Sequence, residues 1–172
     1  SVPTLDFTRS WWDQKALEEL NLFGVQYAAL GDVNLYAKGA PIVNFFNKEM
    51  IEEYNLENPY ELVRTGKWTL DKMIEMATAV SRDLNSNGVP DKDDSFGFMG
   101  ETDSMFYLLT GCDVRFSEHD DEKIEITIMS ERAVDAIAKI ADLLNDKRVT
   151  MYNGDYQAGY SNVFFELMIP TL

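Results

Sequence analysis

The sequence predicts an α/β domain, on three observations. Segments with period-two apolar spacing alternate along the chain with segments of helical spacing. Two helical segments open on strong N-capping residues, Thr69 and Ser130. Of the 172 residues, 45% are apolar, including ten Phe, eight Tyr and three Trp, so a core can form without a disulfide or metal staple.

Taken in order, "SVPTLDFTRSWWDQ" is turn-rich and aromatic and leads into a short helix with Ala16, Leu17 and Leu20 on one side. "GVQYAALGD" alternates at Val25, Tyr27 and Ala29, a strand leaving a turn at Gly24. Ile42 to Phe46 reads as a second strand, running into a helix that ends near Asn55. From the Thr69 cap, Leu70, Met73, Ala77, Val80 and Leu84 follow helical spacing, with Asp71 in the positive first turn. "SFGFMG" suits a strand. "KIEITIM" alternates Ile124, Ile126 and Ile128 with polar residues, the pattern of a half-buried strand. Ser130 then caps a helix with an expected stripe of Val134, Ile137, Ile140, Ala141 and Leu144, and "NVFFELMIPTL" leads into a last buried strand.

The formal charge of −15 argues against phosphate backbones and anionic membranes as partners, so no nucleic-acid role is expected. It suits cations or neutral polar ligands such as sugars. The single Cys112 forbids an internal disulfide and reads as a small apolar residue. His119, the one histidine, sits in the charged turn "SEHDDEK" and reads as a surface residue. No Gly-rich phosphate loop is present. No apolar run reaches the length of a membrane span and no signal peptide is read; the start at Ser1, without a Met, leads to the expectation of a processed or excised piece.

The segment "DLNSNGVPDKDD" carries the sharpest chemical signal. Asp83, Asn85 and Asn87 occupy positions one, three and five of a twelve-residue loop, Gly88 position six, Asp91 nine and Asp94 twelve. Oxygen ligands at that spacing, with glycine at the bend and the carbonyl of Val89 at position seven, describe a calcium loop of the EF-hand type. Asp at the last position and two neutral amides imply weak affinity, on the order of 10⁻⁴–10⁻³ M. The other reading is an acidic turn that ends the helix and is held by Asx hydrogen bonds. No exiting helix follows, so a paired EF-hand domain is not expected.

Trp11, Trp12, Tyr36, Trp68, Phe106 and Tyr107 can present flat faces to sugar rings or fill the core, and Trp68 beside its helix cap reads as core. Phe106 follows "GETDS", a polar loop leaving a strand, which is a common place for a ligand.

In sequence, "SWWDQKALEEL", "NLFGVQYAALGD", "NFFNKEMIEEYNLENPYELVRTGKWTLDKMIEMA" and "RDLNSNGVPDKDDSFGF" resemble the extracellular solute-binding proteins of ABC transporters, the sugar-binding family 1 type in particular. "GCDVRF" and "KIEITIMSERAVDAIAKIADLL" continue the likeness over nearly the whole chain. The resemblance implies a periplasmic-binding-protein-like lobe, a mixed sheet flanked by helices, with residues 1–172 forming a single α/β lobe from the centre of a two-lobed protein. It implies a ligand-facing set of Asp32, Asn34, Tyr36, Glu101, Thr102, Asp103 and Phe106, with Gly31 in the same turn and Trp12 near the hinge. It implies non-catalytic binding of a sugar or oligosaccharide for import. The partner would be a transporter permease, and the full-length form a cell-surface lipoprotein touching the membrane only through a lipid anchor outside this chain. The alternatives are a glycoside hydrolase fragment, whose paired carboxylates thirty acids cannot single out, and a calcium-dependent carbohydrate-binding or dockerin-like module.

Overall fold

The computed structural model describes residues 4–35, 39, 42–101, 103–120 and 122–152. The elements in chain order are α1 (Gln14–Glu19), β1 (Asn21–Leu22), β2 (Val25–Gln26), α2 (Lys48–Glu53), α3 (Pro59–Arg64), α4 (Leu70–Val80), β3 (Phe98–Gly100), α5 (Ser104–Gly111), β4 (Ser117–His119), β5 (Ile124–Ile126), α6 (Glu131–Asn145) and β6 (Thr150–Tyr152). The chain is mixed α/β, with two-stranded sheets and helices. It divides into two compact units, Ser1–Asn44 with Phe116–Thr127, and Phe45–Arg115 with Ile128–Leu172.

In the first unit, Asp13 caps α1 by accepting from the Ala16 N–H at 3.0 Å, and α1 buries Leu17. β1 and β2 form an antiparallel hairpin through Phe23 and Gly24, both at positive φ (53° and 76°). That is the twist a two-residue hairpin turn requires. The expected strand through Ala29 stops at Gln26, because its described partner β1 is two residues long. Trp12 and Gly31 form a separate bridge, with Asp13 N–H to Leu30 O at 2.9 Å and Asp32 N–H to Trp11 O at 2.7 Å. A Cβ at position 31 would lie 2.2 Å from the Trp11 carbonyl oxygen, so only glycine fits there.

The strand expected at "KIEITIM" exists as β5, antiparallel to β4 with Glu118 opposite Glu125. It is not half-buried: Ile124 and Ile126 are 48% and 67% exposed. A two-stranded ribbon buries a face only where another layer lies on it, and alternation in sequence does not supply that layer. The strand expected at Ile42–Phe46 does not form; no described strand pairs with it, and Ile42, Val43 and Phe45 are exposed. The final strand expected in "NVFFELMIPTL" lies outside the described residues.

The second unit begins with three capped helices. The Asn47 side chain accepts from Glu49 and Met50 N–H groups, Asn58 accepts from Tyr60 with Pro59 at the first helical turn, and Thr69 accepts from Lys72 at 3.2 Å. α4 ends at Val80, short of Leu84, which is 63% exposed. β3 and β6 pair in parallel, Phe98 with Thr150, Met99 with Met151 and Gly100 with Tyr152. Parallel strands need a long connection, and α5 and α6 lie in it.

The core packs α5 against α6 through Leu109, Val114, Ala133, Ala136, Ile140 and Leu144. A second cluster holds Ala77, Leu143 and Val149, and Phe98 and Leu108 pack against both. Ser130 caps α6 as expected, accepting from Ala133 N–H at 3.3 Å. The buried stripe is Ala133, Ala136, Ile140, Leu143 and Leu144, turned away from Val134, which is 49% exposed. Small Ala residues allow close helix approach, and the larger Val134 was a misleading marker of the inner face. Trp68 is half-buried and belongs to neither core cluster, so its expected core role is reduced to a partial one.

One contact fixes how β3 leaves the end of α4. A Cβ at Gly97 would sit 1.8 Å from the Ala77 carbonyl oxygen and 2.5 Å from the Ala77 Cα. Gly97→Ala must therefore push β3 off α4, at a cost of about 1–3 kcal/mol or more. Gly111→Ala, whose Cβ would meet nothing within 4 Å, serves as the control. Urea unfolding should show a lowered midpoint for the first and no loss for the second; equal behaviour contradicts the contact.

Candidate functional site

The segment from Asp83 to Asp94 is a closed loop. Arg82 and Ser95 form an antiparallel bridge at its base, with both N–H···O bonds at 2.9 Å. Ser95 Oγ donates to Val80 O at 2.8 Å, Ser81 Oγ donates to Ala77 O at 2.9 Å, and Gly97 N–H donates to Ser81 Oγ at 3.0 Å. These two serines, which the sequence reading did not single out, tie both ends of the loop to the last turn of α4.

Inside the loop the polar side chains turn on the backbone and on one another. Gly88 N–H donates to Asp83 Oδ2 at 2.8 Å, with Gly88 at φ 74° and Ser86 at φ 58°. Asn85 Oδ1 accepts from Asn87 N–H at 3.0 Å, and Asn87 Oδ1 accepts from Val89 N–H at 2.7 Å. Asp94 accepts from Leu84 N–H and Asp91 N–H, each at 3.1 Å. The Asp91 carboxylate collects the most donors: Asp93 N–H at 2.9 Å, Asn87 Nδ2 at 2.7 Å, and Asn85 Nδ2 at 3.2 Å to each oxygen. The Asp93 backbone N–H, then the Asn87 amide, hold the Asp91 carboxyl below the usual carboxylate range.

These bonds are the Asx contacts of the acidic-turn reading, and the calcium reading would draw on the same side-chain oxygens. A carboxylate offers about four lone-pair positions, so an N–H on one oxygen leaves others for an ion. Among the described residues no three His, Cys, Asp or Glu side chains gather closely enough to hold a metal. The six-ligand set of Asp83, Asn85, Asn87, Val89, Asp91 and Asp94 therefore depends on its amide and carbonyl oxygens. The Asn85 and Asn87 NH₂ groups now sit on Asp91, where a cation would sit, and would have to turn their oxygens inward to ligate one.

Of the expected ligand-facing residues, Trp12, Asp32 and Asn34 belong to the first unit, with Trp12 Nε1 donating to Asp6 O at 3.0 Å and its ring edge-on to Phe7. Glu101, Asp103 and Phe106 belong to the second unit, where they follow the carboxyl end of β3 and open α5. Glu101 N–H donates to the buried Ser104 Oγ at 2.8 Å, fixing the turn, and Phe106 is 56% exposed beside Tyr107 at 40%. Tyr36 and Thr102 lie outside the described residues.

An open groove of about 450 Å³ runs beside the loop instead, lined by Pro90, Asp91, Lys92, Phe96, Lys147, Thr150 and Met151. No sequence pattern signals it, since Lys147–Met151 arrive from the far end of α6. Cys112 is half-buried and burial pushes its thiol up, which makes it a poor nucleophile. His119 Nε2 lies 2.9 Å from the Glu19 carbonyl oxygen.

Comparison of the chain with known protein families, with curated proteins and with solved structures finds no match in any of the three.

The hydrogen bonds on Asp91 make a signed prediction. A carboxyl lowered on folding contributes stability above its unfolded value and loses it as pH falls through the folded one. The Asp91 carboxyl carbon, followed by NMR, should titrate below the ordinary Asp range, and Asn87→Ala should raise its midpoint. A midpoint indifferent to that substitution removes the amide from the account.

Proposed function

We propose that this chain is a ligand-binding lobe of a solute-binding protein that delivers a sugar or oligosaccharide to an ABC importer, and that it performs no catalysis. The observation that carries the reading is the loop after β3. In α/β folds ligands collect beyond the carboxyl ends of parallel strands. Here that place holds Glu101 and Asp103, which can accept hydroxyl hydrogen bonds, and the exposed Phe106, a surface for a sugar ring. The motif order of the sequence supports the same reading, including the periplasmic-binding-protein-like fold and an extracellular, lipid-anchored full-length form.

Calcium fits this proposal as a structural ion. Asp83, Asn85, Asn87, Asp91 and Asp94 would hold it by side-chain oxygens and Val89 by its carbonyl, binding the end of α4 to the start of β3. In the parent protein, ligand would lie between two lobes that close about a hinge.

The test is NMR titration of the chain with a panel of sugars. Binding should be weak, on the order of millimolar, with shifts centred on Glu101, Asp103 and Phe106. Phe106→Ala should weaken it by about 0.5–1.5 kcal/mol while leaving the fold intact. Shifts centred elsewhere, or turnover of chromogenic glycosides, would overturn the proposal in favour of another site or of the hydrolase alternative.

A further inference from the structure

We propose that Asn87–Gly88 is a self-modifying site at which the loop converts its own amide to a carboxylate. The chemistry is intramolecular. The Gly88 nitrogen forms a bond to Cγ of Asn87 and gives up its proton. The Cγ–Nδ2 bond breaks, and Nδ2 leaves as ammonia after taking up a proton. One water then opens the five-membered succinimide to aspartate or isoaspartate. No oxidant or reductant takes part, and the chain gains one negative charge.

The loop supplies a contact for the departing proton, for the carbonyl oxygen and for the leaving nitrogen. Gly88 has no side chain to hinder approach of its nitrogen, and its φ of 74° suits glycine. Its N–H points at Asp83 Oδ2, 2.8 Å away, which can receive the departing proton. Val89 N–H lies 2.7 Å from Asn87 Oδ1, where negative charge grows as the carbonyl is attacked. The leaving nitrogen, Nδ2, is held 2.7 Å from Asp91 Oδ2. Asn85 is the internal comparison: its Oδ1 also accepts a backbone N–H, from Asn87 at 3.0 Å, but the residue after it is Ser86, whose Cβ crowds the attacking nitrogen.

The conversion has a structural consequence. A carboxylate at position 87 no longer donates to Asp91 and instead faces it with like charge, so the product loop opens where the present one is latched. The inference does not depend on a bound ion.

The experiment is incubation of the whole chain in EDTA at neutral pH, with peptide mapping by mass spectrometry and enzymatic methylation of isoaspartate. Conversion should accumulate at Asn87 several-fold faster than at Asn85. Asp83→Asn, which keeps Gly88 and removes the proton acceptor, should slow it several-fold; Gly88→Ala should slow it further. Equal rates at Asn87 and Asn85, or a rate unchanged by Asp83→Asn, would overturn the proposal.

Discussion

The second unit depends on the absence of a side chain at Gly97. The strand that follows can start only where the backbone lies directly on the Ala77 carbonyl, closer than any Cβ permits. The same residue sends its N–H to Ser81 Oγ and to Val149 O at 3.1 Å. One glycine thus brings together the end of α4, the start of β3 and the approach to β6. The buried Thr150 completes the joint, with its hydroxyl donating to Leu143 O at 2.7 Å. These are backbone-level constraints, and they leave little freedom for the intervening chain.

That intervening chain is the twelve-residue loop. Because Arg82 and Ser95 are paired, its two ends are fixed before any ion or ligand is considered. A loop closed at the base forfeits less entropy when its side chains are ordered. The loop is latched by amide hydrogens on Asp91, so an ion entering it would compete with protein donors as well as with water. Competition of that kind, together with the short Asp at position twelve, would make any such site a weak one.

Much of this was legible in the sequence because capping and turn chemistry are local. Thr69, Ser130, Gly24 and Gly88 each act within a few residues of their own position, and each behaves as its type requires. The expectations that failed needed knowledge of distant partners. The Ile42–Phe46 run has strand composition but no described partner, and Ile124 and Ile126 alternate without a layer to cover them. The stripe of α6 holds the expected Ile140 and Leu144, with Ile137 packed beside them. Val134, however, faces out and Ala133 and Ala136 face in; the two alanines carry little hydropathic signal, although their size lets α5 approach. Of the candidate site, the spacing of the loop oxygens was visible, whereas the serines at its base and the groove formed with Lys147–Met151 arise only in three dimensions.

The central claim we propose is that the oxygens of the loop from Asp83 to Asp94 can turn inward to hold a hard cation. It is tested most directly by titrating calcium into EDTA-treated chain while following the melting midpoint. The account predicts a rise that begins near millimolar calcium and continues as binding saturates, since an ion that binds only the folded state stabilises it by mass action. A midpoint that stays constant through millimolar calcium would contradict it and leave the segment as an acidic turn held by its own amides.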